Sequence, residues 1–550
     1  MIRNRTAYFL AMPVLLVLLG YVLWPALQTV RLGLTAEAFR VLFKGWQTPT
    51  TEAILRSVGV SVFSVVGAGI LGTGLSWLFY RYDFPMRKTL MALATMPLAL
   101  PPLVGVLSFL YLYGASGILP RFLQSLFGLE KIPFVFEGFW AVWLVHVYTQ
   151  FVYFYLFTSA AFRRMDGNLL LASADLGAGE WGTFRHVVLP LLRPSMIGAG
   201  LLVFMVSMAS FTAPLLFDGT GRYLTLQIYQ YKTNGERDLA AFISTLLTLI
   251  GLVALWFAEQ PRFSTSGAAS KDVHPALRIK TAGWQRIAAW LLAVLLLAFL
   301  VMPVLMIVLL SFAAEGSWTT QVFPASYTLA HYTALLKDPS FAEPIRNSLA
   351  MAGVSTAANV VFGVWAAFTM VKTQIRGRWM LRFLTALPFA IPGTVIAFNL
   401  LVAFNRPSPF SFGQILIGSW WMLPLAYFIR HIPLVVRAVG AALEQYDDRL
   451  TEASADLGAS PWITFRRVML PMLAPAMIAG GLLTFVTALG EFVSSIMLFI
   501  IDNRPISVEI LAQMRDYNFG GAAAYSVLLM GMIALATVTT RWISREEMVS

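Results

Sequence analysis

Residues Leu171–Gly200, LASADLGAGEWGTFRHVVLPLLRPSMIGAG, return at Glu452–Gly481 as EASADLGASPWITFRRVMLPMLAPAMIAGG, identical at 19 of 30 positions at a constant offset of 281. Shared composition alone does not produce such agreement. Each copy bears charges and lies between long apolar runs, and each reads as two short helices joined by a turn. Asp447 or Asp448 (Asn168 in the first copy) can cap the first helix, and Gly458 (Gly177) supplies the left-handed residue that ends it. Ser460 and Pro461 suit the N-cap and first position of the second helix, expected to stop near Leu470-Pro471 and, in the first copy, Leu189-Pro190. Two identical helical knobs on one face of a protein imply two identical sockets in a partner.

The surrounding chain belongs in a membrane. Of its 550 residues 58% are hydrophobic and 12% charged, with mean hydropathy +0.73, which excludes an ordinary soluble globule. At about 20 apolar residues per span, expected spans are 7–30, 54–80, 90–113, 139–162, 196–217 and 239–258, then 286–312, 346–371, 380–404, 415–436, 474–500 and 521–542. Arg3 and Arg5 before the apolar run Tyr8–Val30 resemble a signal peptide, but the run is long and no small-x-small site closes it, so it reads as an uncleaved first span. The net charge of +12 could suggest nucleic acid. Lys and Arg instead gather on the side that carries the repeated loops, which the positive-inside rule makes cytoplasmic, together with both termini. No nucleic-acid partner is expected; lipid is.

The repeat extends beyond the loops. Ser57 aligns with Ser348, Arg87 with Arg378, Pro97 with Pro388 and Pro101 with Pro392, all at an offset of 291. The change to 281 places about ten extra residues in the first half, in the external loop Gly114–Gly138 against Asn405–Gln414. The chain therefore divides into a first domain 1–258 with its loop at 163–195, a polar cytoplasmic linker 259–285, and a second domain 286–550 with its loop at 437–473. Six spans per half give both copies the same orientation, a parallel repeat about an axis along the membrane normal. The external stretches Arg31–Ala53 and Ala313–Pro344 are long enough to hold short helices.

Glu452-Ala453-Ser454 followed by Gly458 and Leu470-Pro471 resembles the EAA loop of permease subunits of binding-protein-dependent ABC importers. The first copy departs from the pattern, with Leu171 in place of Glu452. The resemblance implies an all-α membrane protein of about 12 transmembrane helices, two tandem six-helix type I ABC importer permease domains in parallel pseudo-two-fold arrangement, in a bacterial cytoplasmic (inner) membrane. It also implies two copies of an ABC ATPase subunit docked on the loops through Ala172, Asp175, Gly177, Glu452, Ala453, Asp456 and Gly458, with ATP and Mg held by those partners, and an extracytoplasmic (periplasmic) solute-binding protein. PPLVGVLSFLYLYGASG (Pro101–Gly117), LGEFVSSIMLF (Leu489–Phe499) and NRPISVEILAQMRDYNFGGAAAYS (Asn503–Ser526) resemble fused permeases of ferric-iron importers. Thiamine, polyamine and aminoethylphosphonate permeases share much of the pattern.

The chain offers little chemistry of its own. No lysine follows a glycine, so there is no Walker A motif, and ATP hydrolysis belongs to another chain. The five histidines show no metal-ligand spacing, cysteine is absent, and no metal or cofactor is expected in this chain. Glu491, in the eleventh span, is the singular polar residue; an ionised carboxylate there costs roughly 2.5 kcal/mol or more unless paired or hydrated. Its counterpart is Ser210. Glu491, Ser210, Thr212, Ser494 and Ser495 are expected to line a translocation path narrowed by Phe211 and Phe492; the alternative is a buried structural Glu, protonated or bonded to a neighbouring helix. Arg430 and His431 are read as lying toward the cytoplasmic end of span ten, without a solute contact. Prolines four apart, Pro97/Pro101 and Pro388/Pro392, predict breaks in spans three and nine, bordering a cavity or serving packing alone. Two rival classes are a secondary transporter or channel, which leaves the twinned loops unexplained, and a membrane-embedded enzyme, which needs a cluster of catalytic side chains at one depth where only Glu491 is so placed.

Overall fold

A long apolar segment can satisfy its backbone in lipid only by coiling into helix, and the computed structural model is helical through nearly every such segment. It describes residues 5–42, 48–258, 260, 279–280, 283–318 and 321–546. The long helices of the first half are α1 (Ala7–Gly33), α2 (Pro49–Arg81), α3 (Arg87–Leu93), α4 (Pro102–Tyr113), α5 (Gly138–Phe162), α6 (Asn168–Asp175), α7 (Glu180–Met208), α8 (Thr212–Phe217), α9 (Leu224–Thr233) and α10 (Arg237–Ala258). The second half repeats them as α11 (Trp284–Leu310), α12 (Pro339–Lys372), α13 (Arg378–Ala390), α14 (Gly393–Phe404), α15 (Met422–Gln445), α16 (Arg449–Asp456), α17 (Pro461–Leu489), α18 (Val493–Leu498), α19 (Ile506–Arg515) and α20 (Phe519–Glu546). Among the described residues eleven helices are long and apolar enough to cross a membrane, or twelve with the bent pair α13–α14 counted as one span.

Spans three and nine break where the proline pairs stand, although Pro388 itself stays inside α13. Pro97 lies in a 3-10 turn and Pro101 precedes α4, while α13 and α14 meet at Pro392 with a bend of 110°. The longer external loop of the first half contains a short helix, Ile118–Phe127, and the stretches after the first span of each half hold Ala36–Leu42 and Ala330–Lys337. Asp338 caps α12: its Oδ1 accepts from the Ser340 hydroxyl (2.7 Å) and the Ser340 N–H (2.9 Å), which holds its carboxyl below the usual carboxylate range.

Two compact units divide the chain: Val41–Gln230 with Leu249–Thr328, and Met1–Arg40 with Tyr231–Thr248 and Leu329–Ser550. These are not the repeat halves, because each unit contains the first span of the other half. In the first unit α11 packs on α4, and the Tyr148 hydroxyl of α5 donates to Leu300 O (3.0 Å). In the second, α1 packs on α14, and Tyr21 donates to Phe410 O (2.7 Å). The inter-half linker lies almost wholly outside the described residues; Ile279 and Lys280 pair as a short parallel strand with Tyr82 and Asp83.

Within each unit three helices form the same core, α2–α5–α7 and α12–α15–α17. A small residue brings backbones together at equivalent points of both. A Cβ on Gly72 would lie 2.3 Å from Phe151 O, and one on Gly363 would lie 2.6 Å from Val435 Cγ1. Because the obstruction at Gly72 is backbone, Gly72→Leu forces α2 and α5 apart. The expected cost is about 2 kcal/mol or more, read as a lowered midpoint of thermal unfolding in detergent, with Gly74→Leu, which has open space around it, as the near-neutral control.

Candidate functional site

The repeated loops fold as twins. Ser173 Oγ and Thr183 Oγ1 are 2.9 Å apart, as are Ser454 Oγ and Thr464 Oγ1, which ties the two short helices of each loop together. Gly177 (φ +80°) and Gly458 (φ +81°) end α6 and α16 in the left-handed region, and the next residue returns its N–H to Ser173 O or Ser454 O at 3.1 Å. The first helix is capped by Asp447, whose Oδ1 accepts from Arg449 N–H, and in the first copy by Asp166 accepting from Asn168 N–H, each at 3.0 Å. Asn168 is thus a recipient of the cap rather than its source, and Asp448 instead binds Lys372 Nζ at 2.6 Å. Ser460 caps the second helix with Pro461 at its first position.

The second helix does not stop at Leu189-Pro190 or Leu470-Pro471. It passes through one π turn, Phe184–Val188 or Phe465–Met469, and continues as the membrane span, 29 residues from Glu180 to Met208 and from Pro461 to Leu489. The π turn shifts the hydrogen-bond register by one residue just before the proline, which has no N–H to donate, so the helix continues through it. Beneath each loop a buried cluster fixes this rod to the bundle: Phe162, Met165, Leu170, Val188 and Leu192 in one, Leu443, Tyr446, Met469 and Leu473 in the other.

All seven expected docking residues, Ala172, Asp175, Gly177, Glu452, Ala453, Asp456 and Gly458, are exposed. So are four apolar residues that the sequence reading did not single out: Leu176 and Leu457, each 89% exposed, and Trp181 and Trp462, at 71% and 66%. Each tryptophan stacks on the phenylalanine three residues on at 5.8 Å. Their identity in both copies was the available signal. The loops differ at their edges. Arg81 grips Glu180 through two bonds of 3.1 and 2.7 Å, whereas Lys372 holds Asp448 and sits 4.9 Å over the Tyr446 ring.

At the far end of the rods the chain breaks. Glu491 is not inside a helical span; it lies in the break between α17 and α18, as Ser210 lies between α7 and α8. The breaks are built alike: Thr225 Oγ1 donates to Ser210 O (2.7 Å), and Ser507 Oγ to Glu491 O (2.8 Å). Likewise Ser57 and Ser348 each accept from the first turn of α9 or α19, from Leu224 N–H (3.0 Å) and Ile506 N–H (2.8 Å). The side chains differ. Ser210 Oγ meets His146 Nε2 at 2.8 Å, and His146 Nδ1 meets Ser207 Oγ (2.7 Å) and Ser64 Oγ (3.2 Å), a neutral chain of hydroxyls around one imidazole. Glu491, 6% exposed, places Oε2 2.9 Å from Arg430 Nε and accepts the Ser494 N–H at Oε1 (2.9 Å). Tyr427, at the position of His146, bonds Ser495 Oγ at 2.6 Å.

Arg430 is therefore not a snorkelling residue at the cytoplasmic end of its span. It lies in the first half of α15, about 22 Å of helix short of Gln445 at 1.5 Å per residue. Phe211, Thr212, Phe492, Ser494 and Ser495 are buried, and Ser210 is half-buried. Both carboxylate oxygens of Glu491 have partners, so the charge is neutralised where it stands. Among the described residues no group of three or more His, Asp or Glu is placed to hold a metal ion.

A family model described as binding-protein-dependent transport system inner membrane component matches residues 64–260 and again 359–547. A probable ABC transporter permease protein of Sinorhizobium fredii is 30% identical over 97% of this chain and 96% of its own length. A ferric transport system permease protein of Actinobacillus pleuropneumoniae is 26% identical over 91% of this chain and 72% of its own. A sulfate transport system permease protein of Escherichia coli is 29% identical over 39% of this chain and 82% of its own.

Proposed function

The chain belongs to the binding-protein-dependent transport system inner membrane components, two such domains in tandem, and from that premise we propose that it passes ferric iron, delivered by an extracytoplasmic binding protein, under the drive of two ATPase subunits docked on its cytoplasmic loops. The observation that carries this reading is the twinned loop. Two exposed Leu-Trp knobs of the same geometry, at Leu176/Trp181 and Leu457/Trp462, suit two copies of one partner, and apolar aromatic anchors of this kind dominate interface energies.

Each knob heads a 29-residue helix that runs unbroken to the Ser210 or Glu491 break. A displacement imposed at the loop is carried as a rigid-body motion, about 43 Å along the helix, to the point where the backbone leaves the helix. ATP and Mg bind the partners; this chain supplies the levers and the breaks. Support for iron is the ferric permease relative, which aligns over both halves.

The test is reconstitution. The chain is expected to retain an ABC ATPase on purification, and proteoliposomes with the binding protein are expected to accumulate radiolabelled ferric iron only with ATP; accumulation without ATPase would remove the reading. Reversing the charge at the loop, Asp456→Lys, is expected to leave the fold intact and lower solute-stimulated ATPase activity about tenfold, because the residue is exposed.

A further inference from the structure

Four positions at the elbow of the second half differ together from their counterparts in the first. Gly393 opens α14 where Pro102 opens α4, and Thr394 stands where Leu103 stands, both at the 291 offset; Arg430 replaces Thr149 and Glu491 replaces Ser210 at the 281 offset. The change has one direction. Proline without an N–H, leucine and two neutral hydroxyl residues give way to a free helix N-terminus, a hydroxyl, a guanidinium and the carboxylate that holds it.

The geometry collects unused donors at this corner. Arg430 gives Nε to Glu491, but its Nη1 is buried with no hydrogen-bond partner, and it lies so close to Gly393 that a Cβ there would sit 1.8 Å from it. Thr394, fully buried in the next position, has an Oγ1 that is likewise unpartnered. The first turn of the 12-residue α14 adds N–H groups without intrahelical partners and the positive end of the helix dipole. Glu491 turns its carboxylate inward, with Arg430 Nε on one oxygen and the Ser494 N–H on the other, and it is 6% exposed against 28% for the arginine. A solute reaching this corner meets donors and positive charge. Buried donors left unsatisfied are destabilising, and an arriving acceptor would relieve that penalty.

We infer that the corner Gly393–Thr394–Arg430 is a subsite for an oxygen anion, a carboxylate or tetrahedral oxyanion carried by the solute, with Glu491 as the internal placeholder that the anion displaces from the guanidinium. The inference rests on the transport reading and sharpens it: iron would pass with its anionic ligands, and not as a bare cation drawn to Glu491. Glycine at 393 leaves room for the guanidinium, and Arg rather than Lys offers two parallel donors to one anion.

The test uses the purified full chain in lipid nanodiscs, with thermal unfolding followed by tryptophan fluorescence at constant ionic strength. Titrants are sodium sulfate and ferric citrate, each compared with sodium chloride. The wild-type midpoint is expected to rise saturably. Glu491→Gln is expected to unfold at a lower temperature without anion and to bind it about tenfold more tightly, because the competing carboxylate is gone. The double variant Arg430→Gln/Glu491→Gln, which leaves no unpaired charge, is expected to fold and show no rise. A response to sulfate assigns the site to free oxyanions; a response to ferric citrate alone assigns it to the ligands of iron. No saturable rise, a rise that survives in the double variant, or weaker binding by Glu491→Gln overturns the inference. Co-purification of the ATPase, scored separately, tests the importer reading, so the two can fail independently.

Discussion

Replacing Leu457 and Trp462 together by aspartate is expected to strip the ATPase from the second loop and to lower ATP-driven uptake about 500-fold or more, with the unfolding temperature nearly unchanged. The reasoning starts from exposure. Both side chains stand largely in solvent, 89% and 66% exposed, with Trp462 stacked on Phe465, so the bundle loses little, and each lost anchor of an interface costs about 2 kcal/mol or more, with tenfold per 1.4 kcal/mol. Leu176→Asp/Trp181→Asp is expected to act as strongly, because the first loop presents the same pair despite Leu171 at the position of Glu452. Arg81→Ala is the contrast. Its side chain is 11% exposed against 42% for Glu180, so the guanidinium lies back from the surface that a docking partner touches. Retention of the ATPase at wild-type levels after loss of either Leu-Trp pair would show that the loops are not its sockets.

Why the loops could be read from sequence and the elbow could not is a matter of range. A glycine at the end of a helix, a proline at its first position and a hydroxyl at its cap act within four residues, so the fold of Ser454–Thr464 is written locally and twice. Apolar runs likewise announce spans without reference to neighbours. The partner of Glu491 is Arg430, on another helix; nothing in the spacing of two charges so far apart says that they touch, and the arginine read instead as a residue near a membrane edge. The exchange of first spans between compact units is invisible for the same reason: α1 and α11 are apolar along their length, and no local pattern states which bundle they join. The continuous rod through Pro190 and Pro471 was hidden by a sound local rule, that proline stops a helix, because a π turn absorbs the missing donor.

The asymmetry of the two breaks sets the second large expectation. Glu491→Ala leaves a guanidinium paired with nothing in a buried corner and is expected to cost about 3–5 kcal/mol, seen as a large fall in unfolding temperature and in the yield of monodisperse protein. Ser210→Ala removes one hydroxyl from an imidazole that keeps Ser64 and Ser207 on its other nitrogen, and is expected to cost about 1 kcal/mol. Adding Arg430→Met to Glu491→Ala is expected to recover most of the lost stability, because the penalty lies in the stranded charge and not in the missing bond. If Glu491→Ala alone unfolds like the wild type, the ion pair is not closed in the resting protein, and the carboxylate is free to meet a cation. If the double variant is no better than the single, the carboxylate holds the α17–α18 break through Ser494 rather than through Arg430. Stability of the double variant with loss of uptake is the combination expected here: it separates what the pair does for the fold from what the arginine does for the solute.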